Sequence, residues 1–72
     1  MVQAVVKHRD GKLTVRSQYG SRIVTTVWLY REGAVRYLEP RKHISHSIRS
    51  EAYGAVWKRI RSDDQQRGST SR

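Results

Sequence analysis

Arginine is the residue type in this chain best suited to do chemistry. Eleven of the fifteen cations are arginine, set against six carboxylates for a formal net charge of +9 on 72 residues. The planar guanidinium fork matches phosphate oxygens and guanine edges, a match that a merely solubilising surface does not need. A GC-rich genome also raises arginine usage, but codon bias leaves the net charge unexplained. The cations are densest between 40 and 62, where Arg41, Lys42, Arg49, Lys58, Arg59 and Arg61 stand against the single carboxylate Glu51, a local +5. Arg16 and Arg36 join them from strands upstream. These eight residues are the expected contacts to nucleic acid, with DNA ahead of RNA and the basic linker and helix of 41–61 lying along phosphates. The blander reading of the same residues is an ordinary solvated helix face.

Other chemistries find less support in the spacing. His43-x-x-His46 offers two metal ligands, but no cysteine exists and no third ligand is near, so no metal and no cofactor are expected. The same histidines beside arginines resemble the makings of a small ribonuclease. Basic mRNA-cleaving toxins are of this size, yet they usually place a helix before the sheet, and here no acid/base pair is marked by spacing. The paired carboxylates Asp63-Asp64 sit near the tail and read as solvated, and no Gly-x-Gly-x-x-Gly loop occurs. The chain is expected not to be an enzyme.

The elements that must position the cations follow from periodicity. Val2, Ala4 and Val6 alternate with Gln3 and Lys7, Val5 breaks the alternation so that both faces are expected to be partly covered, and Asp10-Gly11 marks a hairpin before a second strand at Lys12–Arg16. Residues 17–21 read as a polar loop. Arg22–Tyr30 is the strongest strand, apolar on both faces, with Ile23, Thr25, Val27 and Leu29 on one and Val24, Thr26, Trp28 and Tyr30 on the other. Arg31-Glu32-Gly33 turns into a fourth strand at Ala34–Glu39, which Pro40 closes. Ile48, Ala52, Val56 and Ile60 recur at i+4, so an amphipathic helix is expected from residue 46 or 48 to about 64, capped by Ser45 or Ser47. On its wheel Glu51 falls opposite the apolar stripe. Gly54 either weakens this helix, marks close approach to the sheet, or forms the turn of a helix-turn-helix.

The expected fold is α+β: a small antiparallel sheet of three to four strands, then one C-terminal helix packed on one face. Residues 1–64 form one compact domain and 65–72 a disordered polar tail. This order of strands then helix is similar to the small arm-type DNA-binding domains of phage integrases, in layout alone and with no shared residues to carry over. Compact basic regulators of phage or plasmid type are the expected setting.

Several classes are excluded at this length. A chain this short is a single domain without a two-domain cleft or a large ligand cavity. No apolar run approaches the roughly 18 residues of a membrane span, so no membrane partner is expected. The run Val2–Val6 is too short for a signal peptide, and with no cysteine the cytoplasm is the expected compartment. Two features keep a second function open, a protein-binding inhibitor that docks on a host enzyme. One is the exposed edge strands, which also favour a homodimer. The other is Trp28 and Tyr30, which either pack under the helix against Tyr53 and Trp57 or form a platform on the open sheet face.

Overall fold

A computed structural model of the chain describes residues 1–41 and 44–70, with side chains through Gln66. Four antiparallel strands, β1 (Val2–Lys7), β2 (Lys12–Tyr19), β3 (Arg22–Arg31) and β4 (Ala34–Glu39), form a meander in the order β1-β2-β3-β4. One helix, α1 (His46–Thr70), follows and packs across the sheet.

Turn chemistry sets the strand register. Asp10 Oδ1 accepts the Lys12 amide at 3.0 Å, and Gly11 turns with φ 92°. The Gly11 carbonyl accepts the Tyr30 amide at 3.0 Å, so this turn docks on the end of β3. A Cβ at Gly11 would stand 3.0 Å from the Tyr30 carbonyl oxygen, which leaves room for glycine alone. Between β3 and β4, Glu32 and Gly33 carry φ 54° and 80°, the two positive angles of a type I′ turn.

Two expectations about the strands are corrected. The segment 17–21 is not a loop: β2 continues to Tyr19, which pairs with Arg22, and only Gly20-Ser21 connect the strands. Ladder pairing with a long β3 outweighs the polar composition of Ser17 and Gln18. In β1 both faces carry apolar residues, as the break at Val5 implies, but Val2 leaves the set it was expected to share with Ala4 and Val6. An irregularity between Val2 and Ala4 shifts the register, so Val5 pairs with Val15 on the helix side while Ala4 and Val6 lie on the other.

The core is a single seam. Ala52, Val56 and Ile60 from α1 meet Leu13 and Val15 from β2 and Trp28 from β3, all nearly inaccessible to solvent. Trp28 is only 3% exposed, and its indole N–H donates to Thr26 Oγ1 at 2.8 Å. Trp28 and Tyr30 therefore pack under the helix, in ring contact with Tyr53 and Trp57, and the alternative of a platform on the open face is overturned. The reason is area: an indole buried against a helix removes far more apolar surface from water than one on an open sheet.

The helix also departs from expectation at its far end. Ser45 Oγ accepts the Ile48 amide at 3.2 Å and caps the start. The helix does not stop near 64 but runs through Thr70, into the segment expected as a tail; residues 71–72 lie outside the described residues. Gln65, Gln66 and Arg67 are good helix formers with no proline to stop them. The helix passes through Gly54 unbroken, which removes the helix-turn-helix reading. Gly54 is exposed, and a Cβ added there would meet nothing within 4 Å, so it does not mark close approach to the sheet.

These placements set opposite expectations for two substitutions in one helix. Ile60→Ala should lower unfolding free energy by about 2–5 kcal/mol. Gly54→Ala should raise it by about 0.5–1 kcal/mol, because the new methyl meets open space and the backbone loses conformational freedom only in the unfolded chain. Urea denaturation of both variants measures the pair; a destabilised Gly54→Ala would contradict an exposed, unstrained Gly54.

Candidate nucleic-acid interface

The sheet divides the cations between two opposite sides of the molecule. Paired residues on neighbouring strands share a face, and three rows cross the side away from the helix. Ala4, Arg16 and Thr25 form one, Val6, Thr14, Val27 and Glu39 the next, and Lys12, Leu29 and Arg36 the third. Arg31, paired with Ala34, extends this face toward the β3–β4 turn, where Arg31, Glu32, Leu29 and Arg36 line a hollow. Arg41 lies at the opposite end beside Thr25, Val27 and Glu39.

All five cations of this face, Lys12, Arg16, Arg31, Arg36 and Arg41, are exposed. Glu39 is the one carboxylate in the three rows. Among the described residues the four arginines make no ion pair, and Lys12 has only a loose contact of 3.9 Å with Asp10. The middle of the face is half-buried Thr14, Val27 and Leu29. His8 Nε2 lies 2.9 Å from Thr14 Oγ1 and borders the same surface.

The helix cations are placed differently. Arg59 Nη1 donates to the Val5 carbonyl at 2.9 Å, and Arg59 Nε lies 3.4 Å from Asp63. Lys7 reaches the same carboxylate at 3.3 Å, so Asp63 ties the first strand to the helix. Asp63 is thus not the solvated charge its position near the tail implies. Arg49 lies over the Tyr37 ring, 5.6 Å from its centroid. Lys58 and Arg61 are exposed. Over His46–Thr70 five cations stand against Glu51, Asp63 and Asp64, a net of +2, so the density of the 40–62 window is not a property of the helix as a whole.

Of the eight expected contact residues, the fold thus brings Arg16, Arg36 and Arg41 together on the open face. It puts Arg49, Lys58, Arg59 and Arg61 on the other side, with Arg59 engaged inside the fold. Lys42 lies outside the described residues, as does His43 of the His43/His46 pair. Lys12 and Arg31 belong to the open-face group, and strand alternation from the Asp10-Gly11 and Glu32-Gly33 turns is the signal that places them there.

Glu51 stays exposed, as its place opposite the apolar stripe implies, but it is engaged with the sheet. It accepts a hydrogen bond from the Tyr19 hydroxyl, which holds its carboxyl below the usual carboxylate range and raises the Tyr19 phenol. At Asp63 partial burial opposes the charge, but the bonds from Lys7 and Arg59 together outweigh it and lower the carboxyl. Compared with known protein families, curated proteins and solved structures, the chain has no match.

Both carboxyls are lowered on folding, so their stabilisation is complete above the unfolded carboxylate range and is lost as pH falls through the folded values. Stability should hold steady between about pH 5 and about pH 9 and decline below about pH 4. Asp63→Asn combined with Glu51→Gln should flatten that acid limb, read as the denaturant midpoint against pH. An unchanged limb would mean that neither carboxyl ties helix to sheet.

Proposed function

We propose that the chain is a non-enzymatic nucleic-acid-binding protein that takes duplex DNA on the open face of its sheet. The observation that carries the reading is the five exposed cations of that face, four of them arginines without ion pairs among the described residues, which outnumber the carboxylates near them: Glu39 in its rows, Glu32 beside Arg31 and Asp10 beside Lys12. A face of this kind neutralises phosphates and releases their counterions on binding. The helix side is the weaker candidate for contact, since its charge is diluted by Asp63 and Asp64 and Arg59 is engaged with Val5.

The contents of the two faces favour duplex over single strand. All six aromatics belong to the helix side: Trp28, Tyr30, Tyr37, Tyr53 and Trp57 in ring contacts, and Tyr19 bonded to Glu51. Single-stranded nucleic acid is held largely by stacking bases on aromatic rings, and the open face has none. It offers instead what a base-pair edge needs. A major groove about 12 Å wide admits a two-stranded ribbon, and β2–β3 is such a ribbon at the centre of the sheet. Arg16 matches guanine there, and the methyls of Thr14, Thr25 and Val27 match thymine. Lys12 and Arg31 at the ends of the ribbon, with Arg36 and Arg41 beside it, are left for phosphates. The narrow, deep major groove of A-form RNA would not admit this ribbon. A small DNA-binding regulator of phage or plasmid type is the setting in which such a protein works.

Mobility-shift titrations of generic duplex over a salt series test the reading. Affinity should fall with log salt at a slope of about −0.9 per phosphate neutralised. Arg16→Ala combined with Arg36→Ala should weaken binding by about tenfold or more and flatten the slope by about two. Lys58→Ala combined with Arg61→Ala should change it far less. No shift at about 50 mM salt and micromolar protein ends the proposal, since phosphate contacts are strongest at low salt. Loss of binding in the helix pair alone moves the contact to the other side.

A further inference from the structure

The helix leaves one strip of the sheet uncovered on its own side. It packs over β1, β2 and β3 but makes no close backbone approach to β4. A cleft of about 330 Å³ results between the first turns of α1 and β4. Trp28 and Tyr37 form its floor, with ring centroids 4.8 Å apart, and Val35 and Tyr53 its walls. Tyr53 is 45% exposed although it contacts the core tryptophan. Arg49 and His46 stand on the rim, and among the described residues no carboxylate lines the cleft.

Beside the cleft runs the free edge of the sheet. The two-residue turn at Glu32-Gly33 makes Arg31–Ala34 the closing hydrogen-bonded pair, and pairs alternate from there. Arg36 therefore points its backbone groups at β3, and Val35 and Tyr37 point theirs outward. Among the described residues no strand pairs with them. The opposite edge is closed, because Arg59 occupies the Val5 carbonyl and the Lys7–Asp63 pair ties β1 to the helix. One edge is blunted and one is left open beside an aromatic cleft.

We propose that the β4 edge and this cleft dock an extended segment of a partner protein whose side chains alternate between apolar and carboxylate. Its main chain bonds to Val35 and Tyr37 as a fifth strand. Strand alternation then sends every second side chain into the cleft, where Trp28, Val35, Tyr37 and Tyr53 take apolar groups. The intervening side chains emerge on the open face beside Arg36 and Arg31, where carboxylates are favoured. Arg49 and His46 add positive charge at the rim. A second copy of this chain fits less well, since it brings another +9 and its own Arg36 to the same edge. This site does not rest on the DNA reading, although it shares Arg31 and Arg36 with the face proposed there.

The probe is a blocked hexapeptide of alternating valine and glutamate, titrated into the ¹⁵N-labelled full chain, with a valine–lysine hexapeptide as counterpart. Amide shifts are expected at Val35, Tyr37, Arg49 and Tyr53 with the glutamate peptide and not with the lysine one. Val35→Pro should abolish them while preserving the spectrum of the folded chain, because the amide it removes faces outward. Arg49→Glu, an exposed change on the helix, should weaken the glutamate peptide and strengthen the lysine peptide, and serves if Val35→Pro fails to fold. Three results overturn the proposal. One is the absence of shifts at millimolar peptide. A second is shifts confined to Arg16, Thr25 and their neighbours, which would make the peptide a polyanion on the open face. The third is a doubled mass in sedimentation that Val35→Pro or Arg49→Glu reverses, which would give the edge to a second copy.

Discussion

Everything else in this protein depends on the seam between one stripe of the helix and the two central strands. Ala52, Val56 and Ile60 close over Leu13, Val15 and Trp28, and few other apolar side chains are fully buried. At this size the core has little reserve, so the chain covers one face of its sheet and, among the described residues, has no second helix for the other. Strand alternation turns that shortage into a division of labour. The residues that pack must point one way, and those between them must point the other. Aromatics collect against the helix, and arginines and threonines are left facing water.

Charge is divided by the same geometry. Two of the three carboxylates on the helix help hold it to the sheet: Glu51 takes the Tyr19 hydroxyl, and Asp63 takes Lys7 together with Arg59 of its own helix. These are exposed or half-exposed contacts, worth little individually, but they anchor two well-separated points of a long helix. Arg59 is an instance of a cation whose position in a charge run misstates its role, since its guanidinium serves an edge-strand carbonyl 54 residues away. The open face has no such engagement. Among the described residues its arginines stay without ion pairs, since the neighbours that alternation provides, Glu39 apart, are mainly threonine, valine and leucine.

Covering the sheet with a helix set toward β1 also makes the two edges unequal. The β1 edge is blunted by the helix that reaches over it. The β4 edge keeps its outward amides and carbonyls, and the aromatics beneath it are only partly covered. A four-stranded sheet with one helix cannot protect both edges, so the offset of the helix decides which one meets a partner.

Much of this architecture is legible from local sequence. Asp10-Gly11 and Glu32-Gly33 declare the turns, the two-sided apolarity of Arg22–Arg31 marks a central strand, and the i+4 stripe identifies the helix face. These signals are local because turn angles and side-chain periods belong to a few consecutive residues. The register shift in β1, the strand identity of Ser17–Tyr19, the partners of Asp63 and Arg59, and the side on which Trp28 lies were decided by tertiary structure. Each depends on which residues lie opposite across the sheet or under the helix. Both faces of β3 are apolar, so composition by itself is indifferent between them; the helix chooses one, and that choice determines which arginines are left on the surface together.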